Sequence, residues 1–346
     1  MKILFIDQLC PIGHINYNNH WLKIFKELNI DVELVMSKDY YEKLCHEKGK
    51  LKLEIPEKYI QESKRRSKII REIWLYKIFC FINKNLNLLE YDYILIASFE
   101  NISLFFANFF YGKNTFAILH NNLKRINNPM IRFIIKKLSE NLKLISLDFF
   151  IKDKLEKYKI KSFTIINPLP LNKFSLVNKK NKEIFIFSPS KSSIDEKIID
   201  AIIKNKEIEE NLKKNNIRLY LRSKKTSYKS ARIEVNNSYL DEKEYIDIFN
   251  KSQVIFLPYN KNFNLRISAV LLEAFSAEKK IILPGYNDLK NYSKIKNTNI
   301  ILFNNIKELK KIFSNLRAPL NKVNYDEIKK NYNILEMKKS IKKIFI

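Results

Sequence analysis

Glycine is what this chain has least of: four in 346 residues, at Gly13, Gly49, Gly112 and Gly285. Neither G-x-G-x-x-G nor a Walker loop can be assembled from them, so a dinucleotide oxidoreductase and a P-loop NTPase are disfavoured. G-x-S-x-G is absent too, which argues against an α/β-hydrolase. Cysteine is almost as scarce. Cys10, Cys45 and Cys80 are odd in number and lack metal-ligand spacing, pointing to a reduced cytosol. Cys45-His46, a lone pair of potential ligands, reads as structural filler. No apolar run approaches the ~18–20 residues that span a bilayer. The opening Met1-Lys2-Ile3-Leu4-Phe5-Ile6 meets Asp7 too soon for a signal peptide and reads as a first strand.

What the chain has in excess is positive charge. Sixty-four Lys and Arg against 37 Asp and Glu give a formal +27, which implies an anionic partner or surface. Part of the excess follows a composition rich in Lys, Asn and Ile. Nucleic acid competes for the role, but helix-turn-helix, zinc-finger and RNP signatures are absent, and the aromatics sit inside apolar runs. A membrane surface bearing anionic lipid fits better. The clearest basic–aromatic stretch is Lys64-Arg65-Arg66-Ser67-Lys68, then Arg71, Trp74, Tyr76, Lys77, Phe79 and Phe81. There Ile70, Ile73, Trp74 and Lys77 recur at helical spacing beside a cationic stripe, as in a helix lying on an anionic membrane with Trp at the interface. An ordinary packed helix with solvated lysines is the alternative.

The length fits two domains of ~150–180 residues each. Through 1–166, strand patterns at 2–6, 31–36, 93–97, 115–119 and 143–146 alternate with helical patterns at 20–28, 59–89, 101–110, 130–139 and 151–158. A last short strand is expected at 162–166. Such alternation predicts a doubly wound parallel sheet. Asn167-Pro168-Leu169-Pro170-Leu171-Asn172-Lys173-Phe174 then carries two prolines that forbid helix and central strand, so 167–174 reads as a stiff connection. The pattern restarts across 175–324, with strands at 183–187, 218–221 and 254–257 and helices at 194–205 and 242–250. The segment 325–346 is expected to form one helix, basic on one face and apolar on the other.

The stretch 255–285 carries the most information. A buried strand (Ile255, Phe256, Leu257) precedes a polar loop at 258–267 and a helix opening at Ser268, with Val270, Leu271, Leu272, Ala274 and Phe275 on it. A second buried strand (Ile281, Ile282, Leu283) closes at Pro284-Gly285. This unit is half of a parallel α/β sheet. Ser268 suits the N-cap, so the first free N–H groups face the loop at the strand's carboxyl end. Open α/β sheets bind ligands at that edge, and a helix N-terminus there favours an anion. Glu273 is the one acid on this apolar helix. The segment is suited to hold a phosphorylated ligand.

At these residues the chain resembles retaining glycosyltransferases of the GT-B fold. Those enzymes carry a strand ending in P-S or P-Y, a loop, and E-G-F-G-x-x-x-L-E-A-x-A-x-G-x-P-V-I. Here stand Leu257-Pro258-Tyr259, then Arg266-Ile267-Ser268-Ala269-Val270-Leu271-Leu272-Glu273-Ala274-Phe275-Ser276-Ala277, then Lys280-Ile281-Ile282. The resemblance implies that Glu273, matching the second Glu of the E-x7-E pair, binds nucleotide ribose hydroxyls. It also implies that the helix mouth at Ser268 and Ala269 holds the diphosphate. The first Glu falls on Leu265, and the loop glycines fall on Arg266 and Ser268. Arg266 still offers a diphosphate a fork of donors. By the same resemblance Lys191, in Phe187-Ser188-Pro189-Ser190-Lys191-Ser192-Ser193, reaches the donor pyrophosphate, with Arg222 at a similar edge position. Backbone groups of Tyr239 or Leu240 would meet the nucleobase. The 167–174 segment matches the usual interdomain crossing, and the terminal helix is expected to cross back onto the N-terminal domain.

On the acceptor side, Gly13-His14 lies in the loop after the first strand, where Gly13 suits close backbone approach and His14 is a candidate base or acceptor contact. His120-Asn121-Asn122 follows the strand at 115–119, and Glu100-Asn101 follows that at 93–97. If the reaction inverts the anomeric centre, His120, His14 or Glu100 supplies the base; if it retains, the donor diphosphate can take the proton. The resemblance thus implies an α/β GT-B fold, two Rossmann-like doubly wound parallel-sheet domains facing a cleft. It implies sugar transfer from a nucleotide diphosphate sugar to a glycan or lipid-linked acceptor, as in bacterial surface polysaccharide or lipooligosaccharide synthesis. The enzyme would be cytoplasmic, peripherally associated with the inner face of the membrane, with no nucleic-acid partner. No metal or cofactor is implied, since GT-B sites rely on helix dipoles and basic residues and no D-x-D triplet occurs. A catalytically silent GT-B-like protein that binds a glycan or a partner enzyme is the alternative.

Overall fold

The computed structural model describes residues 1–44, 49–64, 67–107, 110, 114–170, 174–175, 182–191, 193–295, 298, 300–317 and 325–346. The chain divides into two compact units, Met1–Asn167 with Ile334–Ile346, and Pro168–Asn333. Cys45, His46, Arg65, Arg66, Ser192 and the linker residues Leu171, Asn172 and Lys173 lie outside the described residues.

In the first unit, continuous apolar runs such as KILFID, YILIAS and TFAIL form strands buried on both faces, the signature of a parallel sheet covered by helices. The strands are β1 (Lys2–Asp7), β2 (Asp31–Met36), β3 (Lys50–Glu54), β4 (Tyr93–Ser98), β5 (Thr115–Leu119), β6 (Lys143–Ser146) and β7 (Phe163–Thr164). Among the described residues they make one seven-stranded sheet in the order β3-β2-β1-β4-β5-β6-β7, and every pairing is parallel. The chain winds outward both ways from β1. A crevice therefore opens past the carboxyl ends of β1 and β4, where neighbouring connections leave on opposite faces.

The second unit repeats the plan. Its strands are β8 (Ile184–Ser188), β9 (Ile217–Arg222), β10 (Tyr228–Lys229), β11 (Ile233–Asn236), β12 (Val254–Phe256), β13 (Lys280–Pro284) and β14 (Ile300–Phe303). The order is β10-β11-β9-β8-β12-β13-β14, and only the β10–β11 pair is antiparallel among the described strands. The switch point here is between β8 and β12. Ile186, Leu219, Val254, Phe256 and Ile282 form its core beneath Ile199, Ile202, Leu212 and Phe313 from the helices.

The strands β3, β10, β11 and β14 and the helix Ile306–Asn315 add to the expected elements, and three expected regions differ. The 59–89 helix is interrupted, as Glu57–Ser63 and Lys68–Asn85. Trp74 on the latter is half-buried against Tyr59, ring centroids 5.5 Å apart, with the Lys77 ammonium 4.1 Å above it. It is packed rather than offered to solvent; the exposed apolar residues are Ile69, Ile70, Ile73 and Tyr76. Between the expected helix at 194–205 and β9, a further helix, Lys206–Lys214, is capped by Asn205, whose side chain accepts the Ile208 N–H at 3.2 Å.

The expected single helix at 325–346 is two, Asp326–Asn331 and Ile334–Phe345. The Asn333 amide stops the first by donating to the Lys329 and Lys330 carbonyls at 3.2 and 2.7 Å. Only the second helix belongs to the first unit. Its Met337, Ile341 and Phe345 are buried at one-turn spacing, and Phe345 meets Phe116, Tyr93, Phe25 and Trp21 at 4.6 to 6.1 Å. Burying such a ring stabilises by about 2–3 kcal/mol.

Candidate functional site

Asp7 organises the edge of the first sheet. It ends β1 fully buried, and its carboxylate accepts the Cys10 N–H at 2.9 Å, the Asn18 amide at 2.7 Å and the Ser98 hydroxyl. Ser98 Oγ in turn accepts the Leu9 N–H at 3.0 Å, so the loop after β1 is fastened to the end of β4. Cys10 takes a left-handed φ of 45° there. Its thiol donates to the Asp7 carbonyl and accepts the Ser37 N–H. Burial pushes that thiol up to about 12, which makes it a packed, protonated group and no nucleophile.

Past these strand ends lies a pocket of about 550 Å³, walled by Ile12 and His14 after β1, Phe99 and Glu100 after β4, His120 and Asn122 after β5, and Lys64 and Arg71 from neighbouring helical segments. The His14 and His120 rings stack with centroids 3.7 Å apart and planes at 24°, and Tyr17 meets His120 edge-on at 5.4 Å. A web of amides holds His120: Asn122 accepts its N–H at 3.1 Å and donates to the Phe99 carbonyl at 2.8 Å, while Asn101 donates to the Asn122 carbonyl.

Burial holds both imidazoles below their ordinary range; His14 adds to the effect at His120, Asp7 opposes it at His14, and the Ala97 carbonyl opposes it at His120. Both are therefore neutral at pH 7. His14 Nδ1 and His120 Nε2 are buried without a hydrogen-bond partner in the protein, an arrangement that costs stability unless a ligand supplies the partner. Glu100 pairs with Arg71. A neutral imidazole beside a carboxylate–guanidinium pair can accept a hydroxyl proton and orient the group that loses it.

The second edge is built from side chains already engaged. Ser268 caps the helix Ala269–Ser276, its Oγ accepting the Leu271 N–H at 3.1 Å, and it lies 2.8 Å from the Tyr259 hydroxyl. Tyr259 stacks on Phe263 at 4.0 Å, and the Arg266 guanidinium lies 4.7 Å over that ring. Arg266 Nη1 reaches Ser193 Oγ at 3.4 Å, while its Nε is buried without a partner; burial lowers its proton affinity. The half-buried Glu273 accepts from Tyr245, whose phenol is pushed well up by burial and by the carboxylate. The β8 loop is zipped to the β12 loop by the Ile194–Tyr259 bridge and by Asn260 N–H to the Ser193 carbonyl at 2.9 Å.

The sequence candidates fall as follows. His14, His120 and Glu100 share the first unit's pocket. Gly13 sits in the turn Ile12–His14 beside it, and a Cβ there would meet nothing within 4 Å. Lys191 donates to the Asn237 carbonyl. Arg222 is buried and donates to the Pro189 and Ser238 carbonyls at 3.3 and 3.0 Å, so it braces the loops after β8 and β11. Tyr239 is 85% exposed and Leu240 is buried. Ala269 is exposed at the helix start. Leu265, at the first-Glu position, is 2% exposed with a left-handed φ of 51°, and its N–H donates to Asp288 at 3.1 Å.

Sequence reasoning missed Asp7 as an organiser, Arg71 as the partner of Glu100, and Tyr259 against Ser268. One signal was available: an acid closing an apolar first strand must find donors at the sheet edge. Among the described residues, no cluster of His, Cys, Asp and Glu is arranged to hold a metal ion, and no helix is long and apolar enough to cross a membrane.

No family model and no curated protein sequence matches the chain. Solved structures do. Anabaena Alr3699/HepE in complex with UDP and glucose aligns at TM-score 0.64 and 12% identity, covering 99% of this chain and 98% of its own. A glycosyltransferase from Rickettsia africae ESF-5 aligns at TM-score 0.63 and 13% identity, over 99% and 97%. An E. coli trehalose-6-phosphate structure bound with UDP-2-fluoro glucose aligns at TM-score 0.64 and 9% identity, over 100% and 99%. With two parallel-sheet α/β units, these likenesses show that the chain has the GT-B fold.

Proposed function

We propose that this protein is a glycosyltransferase that moves a sugar from a nucleotide diphosphate sugar to a glycan or lipid-linked acceptor. The observation that carries the reading is the neutral His14–His120 pair, with unpartnered ring nitrogens, in a pocket at the switch point of a GT-B sheet. The pair suits an acceptor hydroxyl. In an inverting reaction one imidazole takes the hydroxyl proton as its oxygen bonds the anomeric carbon and the diphosphate departs. In a retaining reaction the departing diphosphate takes that proton.

On the second unit, Glu273 would bind the ribose hydroxyls, held in place by Tyr245. The N-terminus of the helix Ala269–Ser276, with Arg266 and Lys191, would hold the diphosphate. Leaving-group charge is met by these fixed donors, so the reading needs no metal. The net charge of +27 supports attachment to an anionic membrane, at about 1 kcal/mol for each basic residue near the surface. Such an enzyme would serve bacterial surface polysaccharide or lipooligosaccharide assembly from the inner face.

Calorimetric titration with UDP and GDP tests the donor site. Glu273→Ala should weaken the preferred nucleotide by about 1.5–3 kcal/mol, the worth of hydrogen bonds to a charged group, with the fold intact. Unchanged affinity would make Glu273 purely structural. A donor-hydrolysis screen across UDP-, GDP- and TDP-sugars then identifies the sugar.

A further inference from the structure

A second cavity of the first unit adjoins the histidine pocket but has the opposite chemistry. It is a groove of about 500 Å³ between the helices Lys68–Asn85 and Asn101–Phe106. Ile69, Ile73 and Tyr76 form one wall at one-turn spacing, and Ile102 and Phe106 form the other. Ile69 is 75% exposed and Phe106 61%, so apolar surface is left open on both sides. Single exposed hydrophobics need no explanation, but a contiguous patch in a concave site does. Glu72 closes the floor, accepting the Ser103 N–H at 3.0 Å.

The two cavities are neighbours through adjacent residues of the same two helical segments. Glu72 and Ser103 belong to the groove, while Arg71 and Glu100 belong to the histidine pocket and pair with each other. Cations collect at this junction: Lys68 on the groove wall, and Lys64 and Arg71 in the pocket. An occupant that suits both halves has a hydrocarbon chain at one end and an anionic, hydroxyl-bearing head at the other. We infer that the groove holds the hydrocarbon chain of a phosphate-linked lipid acceptor, with its head in the pocket of His14 and His120. This rests on the proposed glycosyltransferase reading and narrows its acceptor to a lipid. A purely soluble glycan would leave the apolar walls without a role, and a flat bilayer contact would not call for a groove joined to a polar pocket.

Farnesyl phosphate, kept below its micelle concentration, is the probe, titrated calorimetrically into the full chain without donor. It should bind wild type, with inorganic phosphate at least tenfold weaker. Ile73→Asn and Phe106→Ser should each weaken it tenfold or more while leaving UDP affinity unchanged. Both positions are exposed; Ile69→Asn, the most exposed of the wall residues, repeats the test if either variant misfolds. Equal affinity in wild type and variants, or no binding to wild type, overturns the inference. So does loss of retention on phosphatidylcholine–phosphatidylglycerol vesicles with farnesyl phosphate affinity intact, which would make the groove a bilayer contact. A dimer that Ile73→Asn dissociates in sedimentation equilibrium would assign the groove to a second copy and overturn it as well. Farnesyl phosphate binding that survives a failed UDP titration would sink the donor reading and leave the lipid site standing.

Discussion

The two sheet edges share a topology and differ in what they leave unsatisfied. Past β1 and β4 the buried atoms with no partner include two uncharged imidazole nitrogens, His14 Nδ1 and His120 Nε2, beside Arg71 Nε in one pocket. Past β8 and β12 the charged groups are held by neighbours, Lys191 by a carbonyl, Arg222 by two and Glu273 by Tyr245, while Arg222 and Arg266 each keep an unpartnered Nε. The first arrangement suits the transfer of a proton, which needs a base near neutrality and little reorganisation. The second suits the grip of a charged ligand, because braced donors lose little freedom on binding. Each edge is also fastened by one buried ion. Asp7 does it with a carboxylate that gathers N–H and O–H donors; Arg222 does it with a guanidinium that gathers carbonyls.

Those two ions give the largest expected effect. Asp7→Ala removes the acceptor of the Cys10 N–H, the Asn18 amide and the Ser98 hydroxyl, which should cost about 3–5 kcal/mol. Arg222→Leu frees two carbonyls, a buried one on Pro189 and one on the exposed Ser238, and should cost roughly half as much. Two-unit chains need not unfold in one step, so urea melts followed by far-UV and near-UV signals should show which unit moves. Equal costs would break the contrast.

A smaller effect separates the units by pH. The histidines are His14, His20, His46 and His120, so the second unit contains none. Burial lowers the proton affinity of His14, His20 and His120 in the folded state. As pH falls below ~6.5 the unfolded chain takes up protons first. The stabilisation is therefore complete above ~6.5 and is lost as pH falls from there toward the folded values. Glu72, pushed up by burial and by Glu100, acts in the opposite sense, and Glu72→Gln removes its contribution. Between pH 7.5 and 5.5 the first unit's transition should lose stability, while the second's does not fall, since burial lowers Lys279 to about 8 and its folded form completes proton uptake as pH drops. An imidazole titration by NMR showing His120 protonated at pH 6.5 would refute the assignment. Asp7→Asn should lower His14 further, since that carboxylate is what opposes burial there.

Much of the fold was legible because its signals are local. Runs such as Tyr93–Ser98 and Thr115–Leu119 can only be strands of a covered sheet, and Ser268 before Leu271 and Leu272 can be read as a cap. The β10–β11 hairpin was not, because Tyr228, Lys229 and Ile233 sit in a polar stretch with too few residues to show a period. The site was legible one residue at a time. Gly13-His14 and His120 each follow a strand, so each could be placed at an edge; that their rings stack depends on β1 lying two strands from β5, which no local pattern encodes. Leu265 was visible as a departure. Its burial and left-handed backbone were not, because they depend on Asp288 receiving its N–H.

The smallest expected effect returns to the scarcity of glycine. Helices that end with a left-handed residue usually place glycine there. This chain uses Asn29, Lys159, Asn216 and Glu278, with φ of 54°, 56°, 51° and 52°. At Lys159 the closing bonds are complete: its N–H donates to the Glu156 carbonyl at 2.8 Å, and the Ile160 N–H to the Leu155 carbonyl at 3.1 Å. Glu278 closes the helix Ala269–Ser276 in the same way, through its own N–H to Phe275 and the Lys279 N–H to Ala274 at 3.2 and 2.9 Å. A side chain in this conformation costs about 1–2 kcal/mol, and the extra freedom glycine gives the unfolded chain takes back part of the relief. Lys159→Gly in the first unit should therefore stabilise by about 0.5–1 kcal/mol, raising that unit's melting temperature by roughly 2–4 °C per kcal/mol. Glu278→Gly in the second should gain less, because Glu278 also pairs with Lys329 at 2.5 Å, an interaction worth up to ~1 kcal/mol that glycine forfeits. Differential scanning calorimetry of both variants decides it. A larger gain at Glu278 than at Lys159 would mean that backbone strain at the helix ends outweighs the ion pair.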